Sequence, residues 1–264
     1  MPDTNRSPWI HQLSTERSIE KLTHDVETDI VIVGAGIAGV STAFFLLEQT
    51  DKKVVLLDGG KLAHGATGHN AGHVTSAFEL SFEQMVKDFG LEKASEGQLL
   101  VDGAWDLLED MYRKASLTIP FSQFTGYGGL PTLEHVLEEL RDNVLRVKGG
   151  VRPNNVAISK NAPYLSSIPS EYAELYTLTE QSDINEKLET EGQEYSAIVS
   201  YQTGLVNSAL FCQEIVRYLS SQYENRFSLY EHTFIQKIAL HESKAILDAG
   251  HNTISAERVI LCTN

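Results

Sequence analysis

Cysteine is scarce: 264 residues hold two, Cys212 and Cys262. Two cannot build a disulfide framework or a cysteine-based zinc site. Positive charge is scarce as well, with 21 Lys and Arg against 36 Asp and Glu, a formal net charge of −15. No run of basic residues occurs anywhere. Nucleic acid and anionic membrane surfaces both require clustered cations, so neither is expected as a partner. Long apolar runs are also missing. The longest stretches, at 29–33 and 43–47, are far too short to cross a bilayer, and no membrane span is expected. Residues 1–25 include Arg6, His11, Glu16, Arg17, Glu20, Lys21 and Asp25, too polar for the apolar core of a signal peptide. A soluble protein of the reducing cytoplasm is expected. The remaining composition, 42% hydrophobic and 22% charged, is globular and can fill one large core or two modest ones.

Residues 1–27 read as a polar arm with Trp9, Ile10 and Leu13 as its apolar cluster. Asp29–Val33 is a β-branched run of the kind buried on both faces of a sheet. A glycine turn at 34–39 follows, then a helical pattern at 40–48 and a second buried strand at 53–58. Strand, turn, helix and strand in about thirty residues is a βαβ unit. Residues 59–77 are small and polar without period, a length of loop that is usually functional. Beyond Phe78 a helical pattern runs to Ala115, with Leu100, Ala104, Leu107, Leu108 and Met111 on one face and Gly90, Gly97 and Gly103 as breaks. A strand at 121–130 and an amphipathic helix at 132–148 come next, and 149–194 shows no clear pattern. The last part reads as a strand at 195–202, a helix capped by Asn207, and short strands at 228–232, 234–240, 245–248 and 259–262, with a continuation at 253–255.

Gly34-Ala-Gly36-Ile-Ala-Gly39 is a G-x-G-x-x-G pattern placed between a buried strand and a helix. Gly34 permits the tight turn, Gly36 lets a pyrophosphate approach the backbone, and Gly39 lets helix and strand pack closely. The helix amino end, at Ile37 and Ala38, offers free N–H groups and positive potential. Asp58 ends the second strand 24 residues after Gly34. There a carboxylate accepts hydrogen bonds from a ribose diol and disfavours a 2′-phosphate. A dinucleotide site follows, and the motif alone leaves FAD and NAD open.

Three features carry a resemblance to the FAD-dependent oxidoreductases related to D-amino acid oxidase, glycine oxidase and sarcosine oxidase. Residues 28–39 through Asp58 are similar to that family's opening. Gly65-Ala-Thr-Gly-His-Asn-Ala-Gly-His73 resembles the small-residue stretch that wraps its flavin. Gly204-Leu-Val-Asn207, then Phe234–Ile238 and Val259–Asn264, follow its later half. Trp9 also resembles the S-x-W start of many bacterial members.

The resemblance implies a Rossmann-like FAD/NAD(P)-binding α/β fold, with a parallel sheet, a β-meander and a partial α+β substrate domain. The FAD-binding domain would comprise 28–78 and 204–264, and the substrate domain 79–203. Gly34, Gly36 and Gly39 would then face the pyrophosphate, and Asp58 with Gly59 the adenosine ribose. Ala66, Thr67, His69, Asn70, Ala71, Gly72 and His73 would lie along the pyrophosphate and ring. Ile235 would meet the adenine through its backbone, and Cys262 and Thr263 would pass beside the cofactor. Asp58 stands where the family usually has Glu. Members of the family also run substantially further than Asn264. The resemblance therefore implies a partial chain, with self-association or a partner supplying the rest.

The implied reaction is oxidation of the C–N bond of an amino acid or secondary amine by hydride transfer to flavin N5. A flavin-binding chain without turnover is the alternative, and an NAD-dependent dehydrogenase the third reading. His64, His69 and His73 lie within ten residues, but their spacing fits no short metal motif and no metal is expected. Covalent attachment of flavin through His69 is the sharper reading of that histidine. Non-covalent lining of the cleft is the plainer and favoured one. Cys212 and Cys262 read as packing residues, and the acidic stretch at 180–194 as a solvated face. No catalytic constellation is visible; Arg113, Tyr127 and Tyr201 are substrate-holding candidates that nothing in the sequence separates.

Overall fold

The computed structural model describes residues 7–192 and 194–263. Two compact units form: one from residues up to His73, Glu109–Phe121 and the segment from Val206, the other from Val74–Leu108 and Ser122–Leu205. Residues 109–121, which the sequence grouped with the middle of the chain, belong to the first unit.

In that unit the arm begins with a helical turn, α1 (Pro8–His11). Strand β1 (Val26–Val33) leads through the glycine turn into α2 (Ile37–Gln49) and back into β2 (Val54–Leu57). The strand starts earlier than its apolar run suggests because Val26, Glu27 and Thr28 pair in register with Ile254, Ser255 and Ala256. The α2 stripe Val40, Ala43, Phe44 and Leu47 is buried. At this degree of burial each larger side chain contributes roughly 2 kcal/mol.

The second unit carries β3 (His73–Thr75) at its border, then α3 (Phe82–Phe89), α4 (Leu91–Asp102) and the first turn of α5 (Ala104–Lys114). Gly90, at φ +84°, and Gly103 separate these helices, whereas Gly97 sits inside α4 without breaking it. The apolar face read from the sequence is largely not a core face. Leu100 is 77% exposed and Leu107 50%, while Met111 is buried. Strand β4 (Phe121–Leu130) and α6 (Leu133–Lys148) fall where the sequence placed them. Thr132 caps α6 by accepting the His135 N–H. The unpatterned middle resolves into β5 (Asn155–Ser159), β6 (Thr177–Thr179) and α7 (Gln181–Leu188), followed by β7 (Ala197–Val206). The sheet order is β3-β7-β5-β6, with β4 also on β7. The glycines of β4 are a steric requirement. A Cβ on Gly126 would stand 2.8 Å from the Tyr201 ring, and one on Gly129 2.4 Å from the Tyr195 ring.

The first unit closes with α8 (Ser208–Gln222), capped by Asn207 accepting the Leu210 N–H, and strands β8 (Phe227–Tyr230), β9 (Lys237–Leu240), β10 (Ala245–Asp248) and β11 (Thr253–Leu261). The turn continuation and the last short strand are one strand. The polar Glu257-Arg258 pair interrupts the apolar pattern, yet Ala256 pairs with Thr28 before it and Arg258 with Ile30, so one strand runs through. Strand order is β8-β2-β1-β11-β10-β9. The first four run parallel, and β9, β10 and β11 form the antiparallel meander. This is the parallel sheet with meander of a Rossmann-like FAD-binding fold. Among the described residues no helix is long and apolar enough to cross a membrane.

Candidate cofactor site

Strand β1 delivers the chain to Gly34 at φ +107°, a conformation L side chains rarely adopt. A Cβ there would lie 2.4 Å from the Cys262 carbonyl oxygen. The cause is the return of β11: the Cys262 N–H donates to the Val33 carbonyl at 2.8 Å. A Cβ on Gly39 would lie 1.9 Å from the Gly34 carbonyl oxygen. These two glycines are demanded by backbone packing alone.

Gly36 differs. It caps α2 without a side-chain hydrogen bond, and a Cβ on it would meet Thr67 Oγ1 at 2.9 Å. That same hydroxyl accepts the Ile37 N–H at 2.9 Å. The next first-turn N–H groups, of Ala38 and Gly39, are among those that a helix leaves without a partner inside it. A cradle that a Cβ would fill, beside helix-end amides, suits a pyrophosphate. The residues therefore fit a dinucleotide on geometry as well as on pattern.

Asp58 follows directly on β2. Its Oδ2 accepts the Ala35 N–H at 2.8 Å and its Oδ1 the Gly60 N–H at 2.7 Å. The carboxylate thus closes the glycine turn, a role the sequence did not reveal. Each oxygen keeps a further lone pair for a diol. The segment 230–234 runs alongside, with the Thr233 N–H on the Asp58 carbonyl and the His232 N–H on the Gly60 carbonyl, both 2.8 Å. Ile235 is half-buried against the sheet core. Its neighbour Phe234 is 71% exposed, and a Cβ on Gly59 would stand 3.1 Å from its ring. Phe234 was missed from the sequence, where its only signal is an aromatic residue next to Ile235.

The wrapping stretch is a 3₁₀ turn, Ala66–Gly68, and an extended tail. Asn70 organises it. Its Nδ2 donates to the Thr67 carbonyl at 2.7 Å and the Ala66 carbonyl at 3.2 Å, and its Oδ1 accepts the Gly72 N–H at 2.7 Å. Ser208 Oγ, at the start of α8, donates to the Thr67 carbonyl at 2.6 Å. Thr67 and Gly72 are buried, while Ala66, His69, Asn70, Ala71 and His73 are exposed. His64 Nδ1 lies 2.8 Å from the Leu62 carbonyl and His69 Nδ1 2.8 Å from the Gly65 carbonyl. Among the described residues no group of three His, Cys, Asp or Glu is placed to hold a metal.

The amino end of α2 thus gathers Gly34–Gly39, Asp58, Thr67 and the chain from Cys262 to Thr263. Cys262 lies one residue past the end of β11, not on it. Cys212 is fully buried in α8, and burial pushes its thiol well above the usual range. Arg113 is spent on an ion pair with Asp110. A cavity of about 900 Å³ between the arm and α8, lined by Arg17, Glu214, Arg217 and Glu224 among others, includes none of the expected cofactor residues.

A βαβ unit with a glycine turn, a strand-end acid and a meander returning to that turn defines a dinucleotide-binding flavoprotein fold. The model of one family, described as FAD dependent oxidoreductase, matches residues 29–264, and the chain belongs to that family, whose cofactor is FAD. The "Probable oxidoreductase OrdL" of Haemophilus influenzae is 27% identical over 135 residues, 51% of this chain and 31% of the relative. The gamma-glutamylputrescine oxidoreductase of Escherichia coli is 26% identical over 95 residues, 36% of this chain and 22% of the relative. Among solved structures, glycine oxidase from Geobacillus kaustophilus has the same fold, with TM-score 0.63 and 18% identity, covering 90% of this chain and 55% of its own. The chain spans less than a third of these two curated relatives and about half of that structure.

Proposed function

We propose that the protein oxidises the C–N bond of an amino acid or secondary amine, with FAD held along the glycine turn. The observation that carries this reading is the family match over residues 29–264, joined to a cradle at Gly36 that a Cβ would fill. Relatives named for glycine, proline and gamma-glutamylputrescine support the substrate class. When bound, FAD supplies the acceptor for a hydride from the substrate's α-carbon. The chain's own part is binding and alignment. The first-turn amides of Ala38 and Gly39 hold the pyrophosphate, with Thr67, which keeps the Ile37 N–H, beside them. Asp58 and Gly59 take the adenosine ribose, and Ile235 meets the adenine through its backbone. The loop from Ala66 to His73, with Cys262 and Thr263, borders the rest of the cofactor. His69 acts without a covalent link. Alignment of this kind is what converts a slow encounter into an effectively unimolecular step.

An absorption spectrum of the purified protein tests the reading. Flavin bands that bleach on anaerobic addition of an amine or amino acid are expected. Bands that no amine bleaches would leave a flavin protein without this turnover, and a colourless protein that binds NAD would overturn the assignment. Acid precipitation should release the flavin to the supernatant. Flavin retained in the pellet would instead place a covalent bond at His69 or a neighbour.

A further inference from the structure

The arm grips the wrapping loop at three points. The Trp9 indole N–H donates to the Asn70 carbonyl, and the Trp9 ring packs against Gly72, where a Cβ would meet ring carbon Cζ2 at 3.0 Å. Ser7 Oγ donates to the Gly68 carbonyl while capping α1. Ile10 fills the space over Gly68, where a Cβ would approach its Cδ1 to 2.6 Å. The arm is itself pinned from the other side, by Asn207 Nδ2 on the Trp9 carbonyl at 3.3 Å and by Gln213, which bonds both the N–H and the carbonyl of Ser14 at 2.9 and 3.1 Å.

Thr67 stands between these grips. Its carbonyl is held by Asn70 and Ser208, and its hydroxyl touches the first amide of α2. A continuous chain of contacts therefore runs from the Trp9 indole through Asn70 and Thr67 to the glycine turn. We propose that Ser7–Ile10 is a positioning element of the cofactor site. By fixing Gly68 and Asn70, it sets Thr67 against the amino end of α2 before FAD arrives. The inference rests on the FAD reading above and extends the site to residues outside the glycine turn and the wrapping loop. Trp9 and Ser7 need not touch the cofactor. They act through the loop by removing the ordering cost that binding would otherwise carry.

Trp9→Phe separates positioning from bulk packing, because it keeps an aromatic ring against Gly72 and deletes the N–H. FAD affinity is read by quenching of flavin fluorescence, and amide hydrogen exchange of residues 66–73 is read on the FAD-free protein. Trp9→Phe should weaken FAD about fivefold to tenfold, the scale of one lost hydrogen bond. It should also speed exchange at 66–73 while β1 and α8 exchange as in the unmodified protein. Ser7→Ala, which removes the grip on Gly68, should do the same and serves if Trp9→Phe does not fold. Unchanged affinity and unchanged exchange at 66–73 in a folded variant would overturn the inference while leaving the FAD reading intact. An unmodified protein that binds no FAD would overturn both.

Discussion

Gly36 and Gly39 stand three residues apart, yet their substitution should fail in different ways. A Cβ on Gly39 would collide with the Gly34 carbonyl at 1.9 Å, a backbone atom that cannot step aside without moving the turn. Overpacking of that severity exceeds the ordinary 1–3 kcal/mol for an added methylene, so Gly39→Ala should cost about 3 kcal/mol or more. On Gly36 the nearest atom is the Thr67 hydroxyl at 2.9 Å, a side chain able to rotate. Gly36→Val should therefore fold and lose FAD, because the new side chain fills the cradle. Urea unfolding and flavin titration on both variants check the contrast. Flavin retained by folded Gly36→Val would show that the cofactor lies elsewhere. Asp58 is the mixed case. Its two oxygens already hold Ala35 and Gly60 N–H groups, so Asp58→Ala should weaken FAD by roughly 1–3 kcal/mol and also lower the stability of the FAD-free protein by a similar amount. A change in affinity with no change in unfolding would contradict the second role.

Glu48, at the carboxyl end of α2, ties three helices of the first unit together. Its Oε1 accepts the Tyr218 and Tyr223 hydroxyls at 2.8 and 2.5 Å, and Lys114 on the last turn of α5 lies 3.3 Å from Oε2. Burial alone would raise the carboxyl's pKa, but the hydrogen bonds from Tyr223, Tyr218 and Lys114 outweigh it and hold the group below its usual 4.5. A depressed pKa in the folded state means that stability is present above the unfolded value and is lost as pH falls through the folded one. Glu48→Gln should cost about 1–2 kcal/mol at neutral pH and flatten the decline of stability below pH 4.5. Thermal melts from pH 7 to pH 3 measure both, and parallel profiles for the two proteins would refute the assignment. This network also marks where sequence reading runs out. β4, α6 and the Asn207 cap were legible because each rests on local signals: a β-branched or aromatic run, a Thr or Asn cap, a 3.6-residue stripe. The grouping of 109–121 with the first unit was not, since Lys114 meets Glu48 and the Tyr112 ring lies tilted against that of Phe211 through contacts about a hundred residues or less apart along the chain that no local pattern encodes. The glycine turn and Asp58 were legible for their motif. The arm's hold on Asn70, and Asp58's hold on Ala35, each join a side chain to the backbone of a residue far along the chain, which a sequence does not display.

Across the molecule, large apolar side chains lie exposed in both units. In the first, Leu240 is 79% exposed, Phe234 71% and Leu261 62%, and among the described residues β9 is an edge of its sheet. In the second, Leu100 is 77% exposed and Phe89 60%. Open edges and apolar surface favour association, whereas a net charge of −15 opposes it by repulsion between like molecules. Salt decides the balance, since about 0.15 M already screens charge beyond about 8 Å while leaving burial of apolar surface untouched. The protein should be monomeric at low ionic strength near neutral pH and associate as salt is raised towards about 0.5 M, the opposite of an assembly held by ion pairs. Lowering the pH towards the sequence pI of about 5.0 should act in the same direction by removing net charge. Leu240→Lys on the edge strand should reduce association by placing a charge where a second edge would pair. Sedimentation velocity across salt and protein concentration provides the measurement. A monomer at every salt concentration would show that the exposed edge and apolar side chains are too dispersed to hold two copies together, and association strongest at low salt would assign the contact to charge instead.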